Sequence, residues 1–260
     1  KRQLYTYAIA GMFIFPFYRL PVKRLLLIAA VLMVLFSIKT TWDHHKPIRL
    51  KKAADVALSV DTTITPLTNM QKADIDAWNS FESDRSIEKR KAIDEDQVAR
   101  TKGDFWTFFI YSAGITYMLE TDFFYNYFFL DALSFMLIGI ALFKSGILIG
   151  KRSRRFYLLL FLIGYLIGLP IYYMTALNKV ESHFNPYLFA LNEPVSIHQF
   201  GRLALTLGNI ALLNLLFKFP ITAWIVKLMT PVGRMAFTNY LMQSIIGNLL
   251  FSGFAFGLFN

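Results

Sequence analysis

Three long apolar runs constrain this chain more than any other feature. They are 25–38 (LLLIAAVLMVLFSI), 156–177 (FYLLLFLIGYLIGLPIYYMTAL) and 235–259 (MAFTNYLMQSIIGNLLFSGFAFGLF). A bilayer core takes about 20 mostly apolar residues per helix. Runs this long and this uniform are unsuited to the core helices of a soluble domain, which show an apolar stripe and a polar face. Charged residues make up 17% of the chain, against about 25% in soluble domains, and mean hydropathy is +0.44. Aromatic residues gather near the ends of the runs, where an interfacial belt forms. The fold class that follows is all-α, a polytopic transmembrane helix bundle.

The net charge of +10 is unevenly distributed. Residues 42–104 hold 11 Lys and Arg against 12 Asp and Glu, whereas the rest of the chain holds 16 against 5. Three domains follow: transmembrane helices over 1–41, a polar helical insert over 42–104, and transmembrane helices with re-entrant or interfacial segments over 105–260. A basic chain raises the question of nucleic acid. Here the cations lie in short loops between apolar runs, the pattern of positive-inside topology, so no nucleic-acid partner is expected.

Placing Arg19, Lys23 and Arg24, then Lys151, Arg152, Arg154 and Arg155, then Lys218, Lys227 and Arg234 in the cytoplasm gives a consistent path. Six helices span: 4–18, 21–41, 127–149, 156–177, 200–218 and 235–257. The insert 42–104 is then extracytoplasmic, with a helix start expected at Thr65–Pro66. The short stretches 105–119 and 220–229 are read as re-entrant or interfacial. No small-residue cleavage site follows the first apolar run, so it is not a secretory signal. The chain starts at Lys1 without Met and reads as cut at both ends.

Polar groups inside apolar helices are the natural functional candidates. The densest set is Arg234, Thr238, Asn239, Gln243, Ser244, Asn248 and Ser252. Spread over two faces, it calls for a central helix with neighbours on several sides. Interhelical hydrogen bonding is the plain alternative to a site. Arg234, at a helix start, suits a phosphate or carboxylate, or anchors to lipid headgroups. His198 and Arg202, one turn apart, suit an anionic group or simply face water. His44, His45 and His183 lack metal-ligand spacing, and no metal is expected. There are no cysteines. P-loop, Rossmann and G-x-S-x-G motifs are absent from the sequence. Gly164–Gly168 and Gly253–Gly257 are G-x-x-x-G pairs suited to close helix packing.

Residues 233–244, GRMAFTNYLMQS, resemble the hallmark of the YeiB-type bacterial multipass membrane family, a domain of unknown function (DUF418). Residues 135–150, FMLIGIALFKSGILIG, are similar to a second family segment that precedes a basic loop, and 4–11, LYTYAIAG, to a third. The Gly-Asp pair that precedes the third in the family is not found before Leu4. The family is similar to transmembrane acyltransferases. The resemblance implies transfer of an acyl, or acetyl, group from cytoplasmic acyl-CoA to an extracytoplasmic glycan or lipid acceptor, in a bacterial cytoplasmic membrane. The alternative is a transporter or lipid-binding protein without acyl transfer. In the related enzymes the key groups precede the first matched stretch, so no catalytic residue is assigned here. The candidate substrate- or cofactor-binding residues are Arg234, Asn239, Gln243, Arg202 and His198. No cofactor is required beyond acyl-CoA as donor substrate. Membrane lipids and a second copy of the chain complete the expected partners.

Overall fold

The structure is a computed structural model describing residues 2–60, 66–219 and 223–258. The only regular secondary structure among the described residues is helical, with no strand. The helices are α1 (Arg2–Ile14), α2 (Val22–His44), α3 (Lys46–Leu58), α4 (Asn69–Ser83), α5 (Ile87–Thr101), α6 (Phe105–Met118), α7 (Phe129–Lys144), α8 (Arg154–Glu181), α9 (Pro186–Asn192), α10 (His198–Phe217), α11 (Ala223–Arg234) and α12 (Ala236–Phe251). Four helical segments are long and apolar enough to cross a membrane: 22–58, 105–144, 154–181 and 198–217. Large hydrophobic side chains such as Leu166, Tyr173 and Phe13 face outward, as they do where lipid is the solvent.

Four helix boundaries differ from the sequence reading. The run 127–149 stops at Lys144, because Gly146 and Gly150 take φ of +77° and +74° and turn the backbone out of the helix. Upstream it does not start at 127: a π-helical stretch, Leu119–Phe128, joins α6 to α7 without a break. The helix expected over 235–257 ends at Phe251, and 252–257 folds back on it. Gly257 N–H bonds the Ser252 carbonyl and Phe256 N–H bonds that of Leu249. The second G-x-x-x-G pair therefore forms a turn rather than a helix-packing stripe. In the insert, the cap is Thr68, not Thr65, which lies outside the described residues. Thr68 and Gln71 form a reciprocal capping box.

Contacts divide the chain into two compact units. One holds 1–33, 95–164 and 206–260; the other holds 34–94 and 165–205. In the first, α1 packs along α7 and the π-helical stretch, with Ala10, Phe124 and Leu137 at most 1% exposed. Tyr157 is fully buried against Ala211 and Leu215, and its hydroxyl donates to the Ile147 carbonyl at 2.7 Å. Lys218 donates to the Gly150 carbonyl at 2.8 Å, and Arg154 to that of Lys218 at 2.9 Å. The loop after Lys144 is thus tied to the end of α10 by Lys218, which Arg154 holds in turn.

In the second unit, α3 and α4 pair through Ala54, Ala57 and Trp78. Ser37 Oγ donates to the Ser196 carbonyl at 2.7 Å, while Ser196 N–H reaches Thr41 Oγ1 at 3.1 Å. Gly168 and Gly201 let α8 and α10 approach closely: a Cβ on Gly168 would strike Leu205, and one on Gly201 would strike Ile171. Gly168 thus does what the first G-x-x-x-G pair predicts.

Candidate functional site

In the first unit, α6 and α12 leave between them a half-open groove of about 920 Å³. Asp104 starts α6 by accepting the Thr107 N–H at 3.2 Å. The Thr107 hydroxyl and N–H hold the Asp104 carboxyl below its ordinary range. Ser112, Thr116 and Glu120 follow at intervals of four, so they lie on one face and line the groove. Glu120 opens the π-helical stretch, a rare geometry that often marks functional positions. From α12 come Gln243, Ser244, Gly247 and Asn248. Gly247 meets no atom within 4 Å of the position its Cβ would take, so the groove stays open there.

Aromatic rings form the rest of the wall. Phe105 and Phe109 stack with centroids 6.0 Å apart, and Phe254 lies 5.4 Å from Phe105 and 5.3 Å from Phe108. The turn after α12 closes this end. Gly253 N–H bonds the Thr101 carbonyl at 2.9 Å, and the Lys102 backbone leaves no space for a side chain at Gly253. The groove is therefore amphipathic, with carboxylate, amide and hydroxyl groups along an aromatic trough. That chemistry suits a molecule with an apolar tail and a polar, hydrogen-bonding part.

The five residues singled out in the sequence fall in two units. Arg234, Asn239 and Gln243 belong to the first, Arg202 and His198 to the second. Of the first three, Gln243 lines the groove. Asn239 is exposed, its amide 3.5 Å from the Val232 carbonyl. Arg234 does not begin the helix that carries Asn239; it ends α11, where the negative dipole end favours a cation. Nor is α12 enclosed on several sides: none of its residues is buried. It is short and packs mainly on α11, so most of its polar residues stay exposed.

His198 and Arg202 share a face at the start of α10 as expected. The His198 ring packs edge-on to Tyr172, 4.8 Å away, with Nε2 3.5 Å from the phenol oxygen. Nearby in chain order, burial pushes the Glu193 carboxyl up against the opposing pull of Lys179 and Asn178.

Sequence reasoning missed Ser112, Thr116 and Glu120, although their four-residue spacing was a usable signal. It also missed a second cleft, of about 370 Å³, in the second unit. There Trp78, Phe81, Arg85 and Arg90 face His183 and Tyr187. The Arg85 guanidinium lies 3.7 Å from the centre of the Phe81 ring. His183 and Phe184, both at positive φ, shape its far wall.

Fold and groove together define a helical membrane protein with an amphipathic site between two of its helices. Residues 142–260 match the family described as protein of unknown function (DUF418). No curated protein and no solved structure matches the chain.

Proposed function

We propose that this protein handles an amphiphilic acyl compound within the membrane, held in the α6–α12 groove. One observation carries the reading: a single half-open trough combines an aromatic wall with Ser112, Thr116 and Glu120 opposite Gln243, Ser244 and Asn248. A purely apolar trough would suit any lipid tail, and a purely polar one would not belong among apolar helices. Openness on one side favours lateral arrival of the compound from the bilayer.

Acyl transfer is the narrower form of this function, and the resemblance to transmembrane acyltransferases supports it. In that scheme Lys151, Arg152 and Arg155 face the cytoplasm and attract the phosphates of acyl-CoA. An acceptor hydroxyl, on a glycan or lipid, gives its proton to Glu120 and forms the new ester bond. The thioester C–S bond breaks, and the departing thiolate takes the proton back. The insert between Trp42 and Asp104 lies outside a bacterial cytoplasmic membrane. Binding or transport without transfer is the second reading, favoured by the groove's openness.

Both readings are tested on the full-length protein in detergent. Saturable binding of a fluorescent long-chain acyl amphiphile is expected, weakened by Gln243→Leu combined with Asn248→Leu. Absence of saturable binding would sink the proposal. Thermal shift with acetyl-CoA and longer acyl-CoAs then separates the two: stabilisation supports transfer, and no effect from any of them leaves binding alone.

A further inference from the structure

The first unit holds another groove, of about 480 Å³, between the end of the first apolar segment and α7. Its volume lies within the ~300–1,000 Å³ range of small-molecule sites. Met136, Gly139, Ile140 and Phe143 form its apolar floor, and Tyr18 and Lys144 stand at its rim. Gly139 meets nothing within 4 Å of its would-be Cβ, so α7 offers a channel rather than a ridge there.

The rim is cationic and fixed. Lys144 Nζ donates to the Leu20 carbonyl at 2.8 Å and to that of Tyr18. Arg19 Nε donates to the Tyr18 hydroxyl at 2.8 Å, with the guanidinium 5.4 Å from that ring. This bond uses one of five guanidinium donors on an exposed side chain. No Asp or Glu occurs in 1–42 or in 132–180, so neither chain segment forming the groove offers a carboxylate to neutralise the rim.

We propose that this groove binds an anionic glycerophospholipid of the bilayer. One acyl chain lies along Gly139 and Ile140, and the phosphodiester sits at Arg19 and Lys144. Charge complementarity selects this occupant. An apolar channel alone would accept any lipid chain, but a rim with two cations and no acid favours an anionic headgroup over a zwitterionic one. The site is separate from the α6–α12 groove and does not depend on the function proposed for it.

The test is native mass spectrometry of the full-length protein with equimolar phosphatidylglycerol and phosphatidylethanolamine. Retention of phosphatidylglycerol is expected to exceed that of phosphatidylethanolamine by about tenfold, the worth of one charge-assisted contact. Arg19→Gln should remove most of that preference. Lys144→Gln should do the same, but it also releases two backbone carbonyls, so Arg19→Gln is the decisive variant. Gly139→Leu, which fills open space, should displace both lipids without lowering thermal stability in detergent. Equal retention of the two lipids, unchanged retention in Gly139→Leu, or displacement by inorganic phosphate alone would each overturn the proposal. Retention of neither lipid would overturn it too, and would point to a protein segment as the occupant.

Discussion

The two grooves of the first unit are made from the same helical material and differ in how polarity is placed. In the α6–α12 groove, polar groups run along the trough, from Ser112 to Glu120 on one side and Gln243 to Asn248 on the other. In the groove beside α7, the floor is apolar and charge is confined to the rim at Lys144, with Arg19 beside it. Polarity along a trough reads the middle of a bound molecule, whereas polarity at a rim reads only its headgroup. The first arrangement suits a substrate whose reacting group must be positioned, the second a lipid held as part of the surroundings.

The largest effect should come from closing the α6–α12 groove at its end. Gly253→Val forces a side chain into the Lys102 backbone and should destabilise the protein by about 1–3 kcal/mol, the usual penalty for overpacking. A lowered melting temperature together with lost amphiphile binding would be observed; an unchanged melting temperature would show that the end of the groove is not built this way. Next comes Gly247→Leu, the counterpart of Gly139→Leu. It should reduce amphiphile binding by about tenfold or more while leaving phosphatidylglycerol retention untouched. Loss of both activities would merge the two grooves into one site and break the contrast.

A smaller effect is expected from Gln243→Leu alone. Removing one neutral hydrogen-bonding group costs about 1 kcal/mol, roughly a fivefold weaker dissociation constant, for a compound that bonds it. A chain lacking a polar group should bind unchanged, and an equal loss for both would deny Gln243 a reading role.

The smallest effect is that of acid. The Asp104 carboxyl titrates below its ordinary range when α6 is formed, so its capping contribution is complete above the unfolded value near 3.9. That contribution fades as pH falls through the lower folded value. Thermal stability should therefore fall slightly below about pH 4, and that part of the fall should be absent in Asp104→Asn.

Much of the helical architecture was legible because run length and charge spacing are local properties. The start of α8 at Arg154 and the end of α10 at Phe217 fall within two residues of the runs read from sequence. Helix ends set by backbone reversal were harder. Nothing in KSGILIG marks which glycine turns out of the helix until both are seen at positive φ. The candidate site was legible in part. Gln243 stood out as an amide in an apolar helix; Ser112, Thr116 and Glu120 had only their four-residue spacing to mark them, because the other wall of their groove lies more than 120 residues away in sequence. The same holds for His198, whose partner Tyr172 comes from another helix. Asn239 and Arg234 show the reverse. Their polarity drew notice, yet the structure leaves both exposed.

The unbroken segment from Phe105 to Lys144 is 40 residues long. At about 1.5 Å per residue its contour approaches ~60 Å, twice the ~30 Å depth of bilayer hydrocarbon. It cannot all run straight through the apolar layer. Its Phe-rich first part is poorly suited to water, and its acidic residues Glu120 and Asp122 sit near the middle. The π-helical stretch divides that length into an aromatic part before it and an aliphatic part after it, with the two carboxylates at the division.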